Sequence, residues 1–194
     1  IIDGTAMLFQ AFFSNEAKTQ DSVFFDPTYL QEQLALHPNM FRKHEVPSSL
    51  ERMPCNALYV MLLNYARFVR DVNPKYIACA FDASAGSVRR ELFPAYKAQR
   101  PGTPLELMPQ MHLAPLALRA AGVRCFQKAG YEADDLMASL GTWGAQRGLH
   151  VVHVSTDKDM LQLVRPGVHA MHPFTLEVSI VCLCVVRTAC KCLL

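Results

Sequence analysis

Short apolar runs alternate along this chain with longer stretches in which apolar residues recur every three or four positions. The runs are Ile1-Ile2, Tyr76 to Phe81, Val123 to Phe126, Val151 to Val154 and Val168 to Met171. Between them, Cys55 to Val72, Leu105 to Ala121 and Asp134 to Arg147 carry the helical period. Strand, helix, strand, helix predicts parallel strands joined by crossover helices. Gly122, Gly148 and Gly167 fall after helical patterns or before strands, where left-handed caps and turns belong. The predicted fold is α/β: a central, mostly parallel twisted sheet with helices on both faces.

Two segments break the rhythm. Residues 14–53 are rich in polar residues and proline, with one short helical pattern from Thr28 to Leu36. They read as a surface insertion. After Val178 the composition changes abruptly. Residues 179–194 contain no Asp or Glu and hold Cys182, Cys184, Cys190 and Cys192 as two Cys-x-Cys pairs. Nothing nearby supplies a soft-metal partner shell, so this tail reads as an apolar extension or as a segment foreign to the domain. The domain proper is therefore expected to span residues 1–178.

At 194 residues and 51% hydrophobic, the chain can bury a sizeable core, and global disorder is not expected. Net charge is only +2, so any polyanion partner must be held by local arrangement. No run of 18 apolar residues lacks a charge, and a membrane span is not expected. Cys55, Cys79 and Cys125 lie in apolar surroundings and read as buried thiols of an intracellular protein. The opening Ile1-Ile2-Asp3 looks like the middle of a strand, so further residues are expected upstream. That leaves the compartment open, an organelle included.

The candidate chemistry is carboxylate-rich. Gly130-Tyr131-Glu132-Ala133-Asp134-Asp135 and Ser155-Thr156-Asp157-Lys158-Asp159 crowd five acids into two short stretches. Asp3 and Asp82 each follow an apolar run. In open α/β sheets, ligands bind beyond the carboxyl ends of the strands, and all seven acids would converge there. Like charges at close range need a neutraliser, and hard oxygen ligands suit Mg²⁺ or Mn²⁺. Singly, each acid has a plainer role. Asp134 or Asp135 can favour a helix N-terminus, and Asp157 can cap a helix from Lys158 to Val164. Directly after Asp82, the stretch Arg89 to Arg100 holds basic residues with Tyr96 beside Lys97. Such residues can hold phosphate and stack on an unpaired base. A solvated helix would explain the charges but not Tyr96.

Taken together, Ile2-Asp3-Gly4, Phe81-Asp82, Arg89-Arg90-Glu91, Tyr96-Lys97-Ala98-Gln99-Arg100-Pro101, Gly130-Tyr131-Glu132-Ala133-Asp134-Asp135 and Thr156-Asp157-Lys158-Asp159 resemble one family. It is the 5′-nuclease domain of bacterial DNA polymerase I, with the phage 5′-3′ exonucleases and flap endonucleases. The resemblance implies a PIN-like fold and two divalent ions, Mg²⁺ or Mn²⁺. Asp3, Asp82, Glu132, Asp134, Asp135, Asp157 and Asp159 would form or support the metal cluster. Lys97 and Arg89 would act at the scissile phosphate, Tyr96 would stack on the displaced base, and Arg90 and Arg100 would hold the strand. The implied partner is DNA with a 5′ end or 5′ flap, cut during replication or repair by a monomer or by part of a longer polymerase. The family's further acidic pair, in a Gly-Asp-x-x-Asp-Asn pattern, and its helix–hairpin–helix find no match here. Two other readings follow: a truncated, non-cleaving nucleic-acid-binding domain, or a related metal nuclease acting on RNA. A nucleotide-binding enzyme is disfavoured, because Asp3-Gly4-Thr5-Ala6 lacks the glycines and lysine of a phosphate loop.

Overall fold

Ile2 and Asp3 form a very short strand, yet they sit at the middle of the sheet. The computed structural model describes residues 1–14, 24–25, 53–83, 87–100 and 102–179. In chain order its elements are β1 (Ile2–Asp3), α1 (Gly4–Phe13), β2 (Phe24–Phe25), β3 (Met53–Pro54), α2 (Asn56–Val72), β4 (Ala78–Ala80), α3 (Val88–Leu92), α4 (Met108–Ala120), β5 (Arg124–Phe126), α5 (Ala133–Ala145), β6 (Val151–Val154), a 3₁₀ helix (Lys158–Leu163), β7 (Val168–Met171) and β8 (Val178–Ser179). The six-stranded sheet runs β5-β4-β1-β6-β7-β8. Its strands are parallel except β8, which pairs antiparallel with β7. This agrees with the mostly parallel sheet expected from the apolar pattern. The antiparallel strand β8 closes the edge of the sheet beyond β7.

Within the 14–53 insertion, β2 pairs antiparallel with β3 as a separate two-stranded ribbon. The helix expected over 28–36 and the cysteine-rich tail from residue 180 lie outside the described residues. Of the three described cysteines, Cys55 and Cys79 are buried and Cys125 is half-buried, each as a thiol and not a disulfide. No described helix is long and apolar enough to cross a membrane.

The two faces of the sheet bury different helices. Helices α1, α2 and α4 cover one face and bring together Met7, Leu8, Met61, Phe68, Leu113 and Leu118. Helix α5 and the 3₁₀ helix cover the other, with Ala80, Ala133, Met137 and Met160 as a smaller core. Helix α2 has Cys55 at its N-cap, a residue that makes no side-chain cap. Gln110, fully buried on α4, substitutes for one: its Oε1 accepts from the Leu58 N–H at 3.0 Å, and its Nε2 donates to the Glu106 carbonyl at 2.9 Å. An unmet helix N-terminus would be costly in the core, and here a neighbouring helix satisfies it.

Helix α5 lies so close to β6 that a Cβ on Gly141 would overlap the His153 ring. His153 is 1% exposed, and burial, followed by positive charges that include Arg165, pushes its pKa down to about 4. It is thus packed as the neutral imidazole. Gly141→Ala is expected to lower stability by about 1–2 kcal/mol, since overpacking costs ~1–3 kcal/mol and outweighs the helix propensity gained. Thermal melting checks this; an equal or higher melting temperature would show that the ring yields freely.

Candidate metal and nucleic-acid site

Parallel register sets the site. Asp3 is level with Ala80 on β4, and Ile2 is level with Val154 on β6, so Asp82 and Ser155 emerge beside Asp3 at the same end of the sheet. Helix α5 begins at that end. Asp3 caps α1 through its Oδ1, which accepts from the Ala6 N–H at 2.8 Å, while its Oδ2 accepts from the Ser155 hydroxyl at 3.0 Å. Asp82 is fixed at three points. Its N–H donates to the Thr5 hydroxyl, its carbonyl accepts from Gln127 Nε2, and its Oδ1 accepts from the Ala133 N–H at 2.8 Å. The last bond sets this carboxylate at the positive end of α5, where a negative charge is favoured.

The acids divide into two groups that the sequence did not separate. Asp3, Asp82, Asp134 and Asp157 line one cleft of about 480 Å³. No lysine or arginine pairs with Asp134 among the described residues. Burial first, then the charges of Asp3, Asp157 and Asp82, push its pKa up to about 6. Asp3 is also raised, mainly by burial, despite the hydrogen bonds it accepts.

Glu132 and Asp135 form the second group, and cations already hold them. Glu132 Oε2 receives Lys97 Nζ at 2.9 Å, the Tyr96 hydroxyl at 3.1 Å and Arg89 at 3.2 Å. Arg89 forks onto both oxygens of Asp135, the bidentate geometry that suits a guanidinium. Asp135 Oδ2 also accepts from the Glu132 N–H at 3.0 Å, one half of a capping box at the start of α5. Burial alone would raise both carboxyls. The bonds from Lys97 to Glu132 and from Arg89 to Asp135 outweigh it, and both pKa values end below the ordinary range. Burial likewise works against the Lys97 charge, but its bonds to Glu132 and Tyr96 keep the ammonium pKa above normal.

The basic segment is pinned to the acidic one by its backbone as well. The Val88 N–H donates to the Gly130 carbonyl at 2.9 Å, and Ser87 bridges to Gly130. Gly130 takes φ of +80°, a conformation that suits glycine, with Val88 3.1 Å from where a Cβ would stand. Tyr96, Lys97, Arg90 and Arg100 line the cleft together with Glu132. Arg89 and Asp135 flank it as a pair. Asp159 is exposed and stays outside the lining; its N–H donates to Asp157 Oδ1 at 2.9 Å, so Asp157 caps the 3₁₀ helix. The helix expected from Lys158 to Val164 is therefore the tighter 3₁₀ form, ending at Leu163.

Thr5, Ser155 and Gln127 hold the acids in place, and sequence reading had singled out none of them for this. Their partners lie 77, 152 and 45 residues away, beyond any local pattern. Tyr131 was also passed over. It is 43% exposed, lines the cleft, and carries Lys128 Nζ 4.6 Å over its ring. A tyrosine three residues after a lysine and directly before Glu132 is the available signal.

The donor set fits a hard divalent cation: carboxylates from buried Asp3 to exposed Asp157, with Asp134 ionising with difficulty because of burial and its acidic neighbours. Among the described residues no three of them are already gathered around a single point.

A family model described as the N-terminal, resolvase-like domain of 5′-3′ exonuclease matches residues 1–183. DNA polymerase I of Rhizobium leguminosarum is 33% identical over 169 residues, which is 87% of this chain and 15% of that protein. A 5′-3′ exonuclease of Aquifex aeolicus is 36% identical over 131 residues, 68% of this chain and 45% of that protein. This chain thus corresponds to less than half the length of either. A T5 protein co-crystallised with metal ions superposes with a TM-score of 0.57 at 16% identity, covering 92% of this chain and 56% of that one. At that identity the likeness is one of fold.

Proposed function

This chain belongs to the family of 5′-3′ exonuclease N-terminal, resolvase-like domains, and from that premise we propose that it hydrolyses phosphodiester bonds in DNA bearing a free 5′ end or a 5′ flap, with two divalent ions, in replication or repair. The observation that carries the reading is the cleft in which Asp3, Asp82, Asp134 and Asp157 face a ledge of Tyr96, Lys97, Arg90 and Arg100. Asp134, Asp3, Asp82 and Asp157 would hold the ions, Mg²⁺ by the hardness of the ligands, with Glu132 and Asp135 supporting the cluster from the start of α5, where Lys97 and Arg89 hold them. Bound there, such ions supply Lewis acidity to the attacking and leaving oxygens.

The chain's own residues supply the rest. Lys97 stays protonated and brings positive charge to the phosphate, where negative charge grows during cleavage. Arg89 orients Asp135 and Glu132 and so keeps the start of α5 aligned with the ledge. Tyr96 offers a face for an unpaired base, its hydroxyl anchored on Glu132. Arg90 and Arg100 hold backbone phosphates without reading sequence. The length of the polymerase relative is consistent with this domain working at the front of a longer polymerase.

The test is metal-dependent release of short products from a 5′-tailed duplex. Cleavage with Mg²⁺ and none with EDTA is the expected result. Tight flap binding with no cleavage at any enzyme concentration would leave the second reading, a non-cleaving binding domain, which the prior engagement of Glu132 by Lys97 and Arg89 favours. Matched RNA and DNA flaps separate the substrates.

A further inference from the structure

A second cavity opens beside the acidic cleft, behind Asp82. It measures about 190 Å³ and lies between α1, β4 and α4. Thr5, Asp82, Ala83, Thr103 and Met111 line both spaces, so the two are continuous. Its inner wall is apolar: Leu8 is 1% exposed and Phe81 3%, with Met108 and Met111 completing it. Polar groups stand at the sides, among them the Thr5 hydroxyl and the Gln127 amide, both already fixed by bonds to the Asp82 backbone.

These features narrow the occupant. Drug-sized sites span about 300–1,000 Å³, so this cavity is too small for a whole nucleotide cofactor and suits one flat ring system. His112 and Asp82 both line it, with no lysine or arginine among the described residues, so a phosphate is disfavoured beside the Asp82 carboxylate. Apolar faces with polar groups at the edge match a nucleobase, which has a π surface and a hydrogen-bonding rim. Two methionines add polarisable sulfur, which packs well against aromatic rings.

We propose that this cavity is a pocket for a single unpaired nucleobase, adjoining the cleft in which Asp82 and Asp134 would face its phosphate. The inference rests on the nuclease reading for the direction of the strand. The pocket itself accounts for how a strand without sequence readout is halted in register: one base enters, and its phosphate is thereby placed at the acids. Met108 is the residue to alter, since it lines this cavity and not the acidic cleft.

The experiment measures binding of a 5′-flap duplex to the protein in Ca²⁺, with single abasic nucleotides placed in turn along the unpaired strand and at the junction. For the unaltered protein, one abasic position is expected to weaken binding about tenfold, the range seen when a base–protein stacking contact is lost. Met108→Trp, which fills the cavity, should weaken binding of the intact flap by a similar factor and add nothing further on the abasic one. Equal affinity for every abasic substrate would overturn the pocket, and this arm needs no variant to fold. So would an equal loss for Met108→Trp on intact and abasic flaps. Cleavage in Mg²⁺ is recorded separately. A protein that cuts but ignores base loss keeps its nuclease reading and loses the pocket. One that senses the base but never cuts keeps the pocket and loses the nuclease reading.

Discussion

Replacing Asp134 by Asn is expected to stabilise the metal-free protein at pH 7.5 while removing both cleavage and the stabilisation that Mg²⁺ confers. The ordinary carboxyl pKa of 3.8 is raised in the fold to about 6. The folded chain therefore binds this proton more tightly than the unfolded chain does. As pH rises from about 4 through about 6, stability falls, and the full penalty is present at pH 7.5. The side chain is only half-buried, so solvent screening reduces the penalty to about 1–2 kcal/mol. Removing it should raise the melting temperature by about 3–6 °C for a domain of this size. Mg²⁺ offsets the same penalty of burial and neighbouring charge in the unaltered protein and should stabilise it more at pH 8 than at pH 5. Asp134→Asn should show little of that gain, and cleavage should drop by about 10³-fold or more, since a metal ion contributes several kcal/mol to such a transition state. Thermal melts with Mg²⁺ and with EDTA, paired with flap cleavage, test both halves. If Asp134→Asn cuts normally and responds to Mg²⁺ as before, the ions bind elsewhere.

Lys97→Met should lower the cleavage rate by about 10²–10³-fold with little change in KM, the cost of losing one positioned charge at a developing oxyanion. Lys97 sits at φ +54°, in the left-handed region that a side chain of this length seldom adopts. Its ammonium lies 2.9 Å from Glu132 and 5.1 Å over the Tyr96 ring. Such a backbone is held by its surroundings, and it points the charge across the mouth of the cleft. Stability should change by no more than about 1 kcal/mol, because the pair is partly solvated and Glu132 keeps Arg89 and Tyr96. A rate loss with intact melting separates chemistry from folding. An unchanged kcat would assign Lys97 to the structural pairing with Glu132 alone.

These two expectations show why the site was only partly legible in the sequence. The acidic motifs are readable because they follow apolar runs or open the helix after one, and a parallel sheet delivers every such position to one end. Their division was not readable. Asp134 and Asp135 are adjacent, yet consecutive residues on a helix point about 100° apart. One therefore meets three carboxylates, and the other meets Arg89. The family resemblance sets Arg89 and Lys97 against a phosphate, and in the structure both are already engaged by acids of the α5 N-terminus. The nearest thing to a local clue was the run of charge from Arg89 to Arg100, which says that partners are needed and not which ones.

The order of strands and helices, the end of the sheet that carries the acids and the hardness of the metal they suit all followed from periodicity and residue type, because these depend on neighbours in the chain. Tertiary structure alone decided which acids keep uncompensated charge, that Thr5, Ser155 and Gln127 brace Asp3 and Asp82, and that a cavity opens behind Asp82. Those outcomes depend on groups many tens of residues apart meeting within 3 Å or so, and no local pattern encodes the electrostatics of such a meeting.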